Sequence, residues 1–182
     1  MQRGHHFIGI SLPSFIKKEL SYLQEELQVN NYYKKITGEE DFHITLLFLG
    51  GWEHGNKVQV WEGLKESLQK IAPFTLTLNN IDFFGDKRKP RVLWTGIHWE
   101  ERLLSLHQEI IKVAVNHGFL LENKPFRPHI TLGKTLRSNS PFSIKEVEVP
   151  PLKWEVDHVN MFLIKPGKSP MYESISKISL SR

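Results

Sequence analysis

The chain has 182 residues, 40% of them apolar, enough to fill a hydrophobic core in one large domain or in two small lobes that share an interface. Its net charge of +4 and pI of about 9.2 suit an anionic ligand but fall well short of a protein that coats nucleic acid. With no cysteine, disulfides and thiolate metal sites are excluded, so any catalysis has to come from histidine, hydroxyl, carboxylate or basic side chains.

The first six residues are polar, and the apolar run at 7–12 is too short for a secretion-signal core or a membrane span, which points to the cytoplasm. His5 and His6 are adjacent in an extended segment, so their side chains point to opposite faces. They read as a frayed or partly exposed terminus and not as a metal pair. The alternation Phe7, Ile8, Gly9, Ile10, Ser11, Leu12 predicts a strand ended by Pro13, which starts a helix with Ser14 nearby as a cap. In that helix Ile16, Leu20, Leu23 and Leu27 form one apolar stripe. After a polar loop comes a β-rich run at 42–49, stopped by Gly50 and Gly51. A second helix then carries Trp61, Leu64, Leu68 and Ile71 on one face, followed by a strand at 74–78.

The second half repeats this order. A strand at 92–97 leads to a helix at 101–116 with Leu103, Leu106, Ile110 and Val113 in phase, then to a strand opening at His129. His107, inside the helical pattern, and His158, at the start of a strand, read as structural. The stretch 137–142 reads as a flexible loop. A final pair, 158–165 and 172–180, is expected to complete the second sheet across a Pro166 and Gly167 turn. From Phe7 to His43 is 36 positions and from Val92 to His129 is 37, and both later strands open with His-Ile-Thr-Leu. This predicts a single bilobal α+β domain over 1–182, with repeats at about 7–84 and 91–182. The lobes would be two pseudo-symmetric antiparallel sheets with helices outside and a central cleft.

Random placement of the chain's histidines and threonines gives about 0.35 HxT matches, whereas two are found, identical over four residues and equivalently placed. In a strand, His43 and Thr45 project to one side while Ile44 and Leu46 pack behind, and the same holds for His129 and Thr131. Bringing the two strands together puts two imidazoles and two hydroxyls in one cavity. Opening a cyclic phosphate needs water deprotonated as it attacks phosphorus and a proton delivered to the departing ribose oxygen on the opposite side. One imidazole can act as base and the other as acid, and the threonine hydroxyls can donate to non-bridging oxygens as charge builds there. The scheme calls for no metal and no cofactor.

These residues resemble those of the 2H phosphoesterase superfamily, and within it the bacterial RNA 2',3'-cyclic phosphodiesterases, also called 2'-5' RNA ligases. The likeness lies in Phe7-Ile-Gly-Ile-Ser-Leu-Pro13, Phe42-His-Ile-Thr-Leu-Leu-Phe-Leu-Gly50, Arg91-Val-Leu-Trp-Thr-Gly-Ile97 and Pro125-Phe-Arg-Pro-His-Ile-Thr-Leu132. The resemblance implies the bilobal 2H phosphoesterase fold and hydrolysis of RNA 2',3'-cyclic phosphate to a 2'-phosphate. It also implies a reversible 2'-5' ligation on tRNA halves. By matching position it makes His43 the proton donor to the leaving 3' oxygen and His129 the base that activates water, an assignment that spacing alone leaves open. The family often carries Arg five positions after the second motif histidine. Here Lys134 stands there, keeping charge but losing the bidentate fork. Strand parity puts Lys134 on the face opposite His129, so it reaches phosphate only through a bend or bulge. Arg127, in phase with His129, is the second candidate for phosphate.

Expected partners are RNA or tRNA fragments with cyclic phosphate ends, with no membrane and with the chain as a monomer. Two other readings stay open. One keeps the chemistry but takes a small cyclic nucleotide or a 2'-5' oligonucleotide; the other is a non-catalytic RNA-end binding module. The basic cluster Lys87, Arg88, Lys89 and Arg91 fits either a phosphate-backbone path or a solvated hairpin tip. Of Phe42, Phe83, Phe84, Trp94 and Trp99, any of which could stack on a base, most are expected in the core.

Overall fold

The computed structural model describes residues 4–122, 124–137, 143 and 147–181, so most of the loop expected at 137–142 lies outside the described residues. Strand β1 (His6–Ser11) leads into helix α1 (Ser14–Glu26), the short helix α2 (Val29–Tyr32) and strand β2 (Tyr33–Ile36). A 3-10 turn, Glu39–Asp41, then precedes β3 (His43–Gly50), α3 (His54–Leu68), β4 (Phe74–Asp86) and β5 (Lys89–Ile97). Helix α4 (Glu101–Asn116) is followed by β6 (His129–Leu136), β7 (Lys153–Val156), β8 (His158–Ile164) and β9 (Tyr172–Ser179).

Two sheets result, one ordered β3-β1-β8-β9 and the other β2-β6-β5-β4-β7, and every pairing is antiparallel. The α+β class follows directly. The orders β3-β1-β8-β9 and β6-β5-β4-β7 correspond position for position, and β2 is an addition on the outer edge of β6. The apolar stripes read from the sequence are the buried ones. Ile16, Leu20 and Leu23 of α1, Leu64 and Leu68 of α3, and Leu103, Leu106 and Ile110 of α4 are all within 2% of full burial. They join the inward faces of both sheets in one continuous core.

Several expectations need correction. The final strand pair does not complete the second sheet: β8 pairs with β1, with Phe162 opposite Phe7 and Met161 opposite Ile8. Val159, Asn160, Met161 and Phe162 are all buried, so β8 needs cover on both faces and both edges, which it has only between β1 and β9. The polar loop after α1 contains β2, a strand missed because only Tyr33 of its four residues is buried. Strand β4 runs far past Leu78, pairing first with β7 and then with β5. Ile71 lies beyond the end of α3, partly buried against the core. Ser14 is the first residue of α1 and caps nothing; the Pro13 carbonyl instead takes the amides of Ile16 and Lys17. His6 is not frayed. It opens β1, is buried, and lies beside the Lys57 ammonium, which donates to the Gly4 carbonyl.

Candidate active site

The two motif strands are built alike. His43 and Thr45 are half-buried while Ile44 and Leu46 are buried behind them, and His129, Thr131, Ile130 and Leu132 repeat this pattern. Each strand then breaks its alternation at the same place. Between β1 and β3, Gly9 lies opposite Thr45 but Ile8 lies opposite Leu47, so Leu46 is an extra residue. Between β5 and β6, Trp94 lies opposite Thr131 but Leu93 lies opposite Gly133, so Leu132 is extra. A bulge of one residue reverses the side-chain parity beyond it. The fifth residue after each motif histidine therefore returns to the cleft: Phe48 on one side and Lys134 on the other. The bulge that Lys134 required is present.

The carbonyl freed by the second bulge is not left unpaired. Leu132 O accepts from the Gln24 side chain at 2.8 Å and from the Thr37 amide at 3.1 Å, and Gln24 also donates to Thr37 O at 2.9 Å. Helix α1 thus pins both the bulge and the segment that leads to the first motif.

Between the sheets lies a cavity of about 330 Å³ lined by His43, Thr45, His129, Thr131, Lys134, Phe7, Thr37, Asp41, Phe48, Ile164 and Tyr172. Five of the six residues singled out from the sequence meet there. The sixth, Arg127, is exposed and does not line the cavity; what it contributes is its main-chain oxygen. The Nδ1 of His129 donates to that oxygen at 2.7 Å, and the Nδ1 of His43 donates to the Asp41 carbonyl at the same distance. A carbonyl can only accept, so each ring carries its proton on Nδ1 and keeps the Nε2 lone pair for other work. On His43 that nitrogen accepts from the Thr45 hydroxyl at 3.1 Å.

Each imidazole is also fixed by aromatic walls. Phe7 lies 4.6 Å and Tyr172 4.8 Å from the His43 ring, and Phe84 lies 4.8 Å and Trp94 5.7 Å from the His129 ring, between centroids. Burial among these rings drives the His43 pKa down to about 4; Lys134 and His129 push the same way, against the Asp41 carbonyl bond and carboxylate. His129 is lowered too, by burial first and then by Lys134, with its bond to the Arg127 carbonyl opposing. At neutral pH both rings are neutral in the free site.

Asp41 and Tyr172 were not visible as site residues in the sequence. Oδ1 of Asp41 accepts from the amides of Met171 and Tyr172 at 2.8 and 2.9 Å, while its carbonyl holds His43. One residue therefore ties β9 of the same sheet to the first motif, and sets the Tyr172 hydroxyl 3.5 Å from the Lys134 ammonium that donates to it. Its only sequence signal is its place two residues before a motif histidine, which Arg127 shares.

Of the aromatics weighed as base contacts, Phe42 and Trp94 are buried, Phe84 and Trp94 wall His129, and Trp99 is exposed. Phe83 lines a separate hollow. Phe48, half exposed, lines the cavity together with Phe7 and Tyr172. The basic cluster is the tip of the β4–β5 hairpin, with Asp86 paired to Lys89, and none of its residues lines the cavity that holds the two motif histidines. His158 is held between Ser11 and Asp157, and His107 stacks on Phe126, both structural contacts.

Residues 17–167 match the family profile of the 2'-5' RNA ligase superfamily. The RNA 2',3'-cyclic phosphodiesterase of Bacillus subtilis (strain 168) is 31% identical over 185 residues, covering 98% of each chain. That of Geobacillus stearothermophilus is 30% identical over 183 residues and 99% of this chain, which spans only 58% of that relative's length. Among solved structures, E. coli LigT complexed with 3'-AMP superposes over 98% of this chain and 99% of its own with a TM-score of 0.80 at 21% identity, a likeness of fold. TT0787 of Thermus thermophilus superposes over 97% of each chain with a TM-score of 0.75 at 25% identity. Paired motifs, matched bulges and a profile match across most of the length agree, and the chain belongs to the 2'-5' RNA ligase superfamily.

Proposed function

We propose that the chain opens the 2',3'-cyclic phosphate at the end of an RNA strand and leaves a 2'-phosphate. The observation that carries this reading is a pair of imidazoles from two sheets, each anchored through Nδ1 to a carbonyl two residues earlier and lining one cavity with its threonine. The relatives named RNA 2',3'-cyclic phosphodiesterase support the substrate.

His129 takes a proton from water as the oxygen attacks phosphorus. The bond from phosphorus to the 3' oxygen breaks, and His43, protonated on Nε2 from solvent once the bound anion has raised its pKa, gives that oxygen its proton. Thr45, Thr131 and Lys134 hold the non-bridging oxygens, where charge develops and where preorganised donors count most. Burial lowers both rings, so the acid role of His43 and the base role of His129 follow their motif positions and not their free-site pKa values. A 5'-hydroxyl in place of water yields a 2'-5' phosphodiester by the same two proton transfers. No step calls on a metal.

The test is an RNA oligomer with a 2',3'-cyclic phosphate end and identification of the product. A 2'-phosphate is expected, with turnover kept in chelator and lowered by about 10²-fold to 10⁴-fold in His43→Ala and in His129→Ala. A 3'-phosphate product, full activity in both variants, or loss in chelator restored by a divalent ion would each refute the scheme.

A further inference from the structure

A second hollow opens directly from the catalytic cavity. It has a volume of about 610 Å³ and shares Thr37, Asp41, Lys134 and Tyr172 with the first, so one continuous trough runs from the two histidines out past β2. Lys34 and Lys35 of β2 line its outer part. Strand β2 has no counterpart in the four-stranded sheet, so this trough exists on one side of the catalytic centre only.

Its charge is unusual for a strand pair. Lys35 lies directly opposite Lys134 across β2 and β6, an arrangement that costs stability because like charges face each other at short range. Neither Lys34 nor Lys35 makes an ion pair among the described residues. The one acid among the lining residues, Asp41, spends Oδ1 on the amides of Met171 and Tyr172. Three lysines thus line a trough whose inner end is the proposed phosphate site. What fits them is a second phosphate, spaced along a strand from the first.

The geometry points to a subsite for the internucleotide phosphate on the 5' side of the terminal nucleotide, held by Lys34 and Lys35, so that the chain selects an oligonucleotide end over a free cyclic mononucleotide. This rests on the catalytic reading above for which phosphate occupies the inner end. The chemistry recognised is phosphodiester charge, not base identity, because ammonium groups supply the contacts.

The experiment compares wild type, Lys34→Ala/Lys35→Ala and the hairpin variant Lys87→Ala/Arg88→Ala. Affinity is measured calorimetrically for 2'-AMP and for a dinucleotide ending in a 2'-phosphate, neither of which is turned over. Wild type should bind the dinucleotide about tenfold or more tightly than the mononucleotide. The β2 variant should lose that ratio, with a salt dependence shallower by about 0.7 in the log–log slope, as expected when one phosphate contact of a single strand is given up. The hairpin variant should keep the ratio. Equal affinities in wild type, or a ratio lost through the hairpin and not through β2, overturns the proposal. Hydrolysis of 2',3'-cyclic AMP by the same preparations reports separately on the catalytic reading, since the binding ratio needs no turnover.

Discussion

His43 and His129 are held in the same way, but burial acts on both before any substrate arrives. Their lowered pKa values predict where activity falls along the pH scale. As the proposed base, His129 has to be neutral, so the rate is expected to rise with pH through a pKa below the usual 6.5. As the proposed acid, His43 has to be protonated, and in the free protein burial holds its pKa down to about 4. Because kcat/KM reports the free enzyme, its maximum is expected on the acid side of 6.5, while the bound anion raises both pKa values and moves the kcat profile to higher pH. A kcat/KM maximum at or above neutral pH would contradict these environments. The same shift acts on stability. Between about 6.5 and 4 the unfolded chain takes up a proton that folded His43 refuses, so stability falls on acidification by something on the order of 3 kcal/mol and levels off below 4. Urea titrations across that range should lose most of this slope in His43→Gln. The histidines and threonines were legible as residues because a strand's two-residue period is written in the sequence. Asp41 and Tyr172 were not, since what makes them part of the site is a contact between residues 130 or more positions apart.

Strands β3 and β6 owe the residues they present to the cavity as much to an irregularity as to their motifs. Were β6 regular through Leu132, with no bulge, Lys134 would face the core and Thr131 would be the last cleft-facing side chain of β6 in the cavity. The burial pattern of two successive buried residues, Leu132 and Gly133, follows from that bulge. Gly133 is held to its identity by close approach, because a Cβ there would stand 2.7 Å from the Val29 side chain and 3.1 Å from the ring of fully buried Tyr33. Gly133→Ala is therefore expected to push α2 and β2 off β6, at a cost of roughly 1–3 kcal/mol in chemical denaturation. It should also weaken binding of inorganic phosphate through displaced Lys134, and unchanged stability would show that β2 docks more loosely than these contacts require. The bulge itself was legible only as a requirement, argued from the parity of Lys134. Strand β2 was illegible, because a four-residue edge strand with two exposed lysines carries neither alternation nor an apolar run.

Across the whole molecule, each sheet takes strands from both halves of the chain. The first half supplies β1 and β3 to one sheet and β2 and β4 to the other, and the second half supplies β8 and β9 to the first and β5, β6 and β7 to the second. The two halves therefore cannot bury their apolar faces separately. Cleavage at the exposed Lys87–Arg88 hairpin tip is expected to leave a nicked protein that stays associated and folded, whereas each half expressed alone should be unfolded by circular dichroism and hydrogen exchange. A half that folds alone would mean that its own strands suffice. No described helix is long and apolar enough to cross a membrane.

The sequence by itself determined the strand and helix order around the two motifs, the identity of both catalytic candidates and their threonines, and the expectation of a shared cleft. Those features depend on local periodicity and on a repeated tetrapeptide, both of which are one-dimensional. Only the tertiary structure decided which sheet receives β8 and β9, how the bulges turn Phe48 and Lys134 inward, and that Asp41, Tyr172 and the β2 lysines belong to the same trough. Strand pairing between distant segments is chosen by edges, cover and register in three dimensions, and apolar edges of equal quality leave no trace of that choice along the chain.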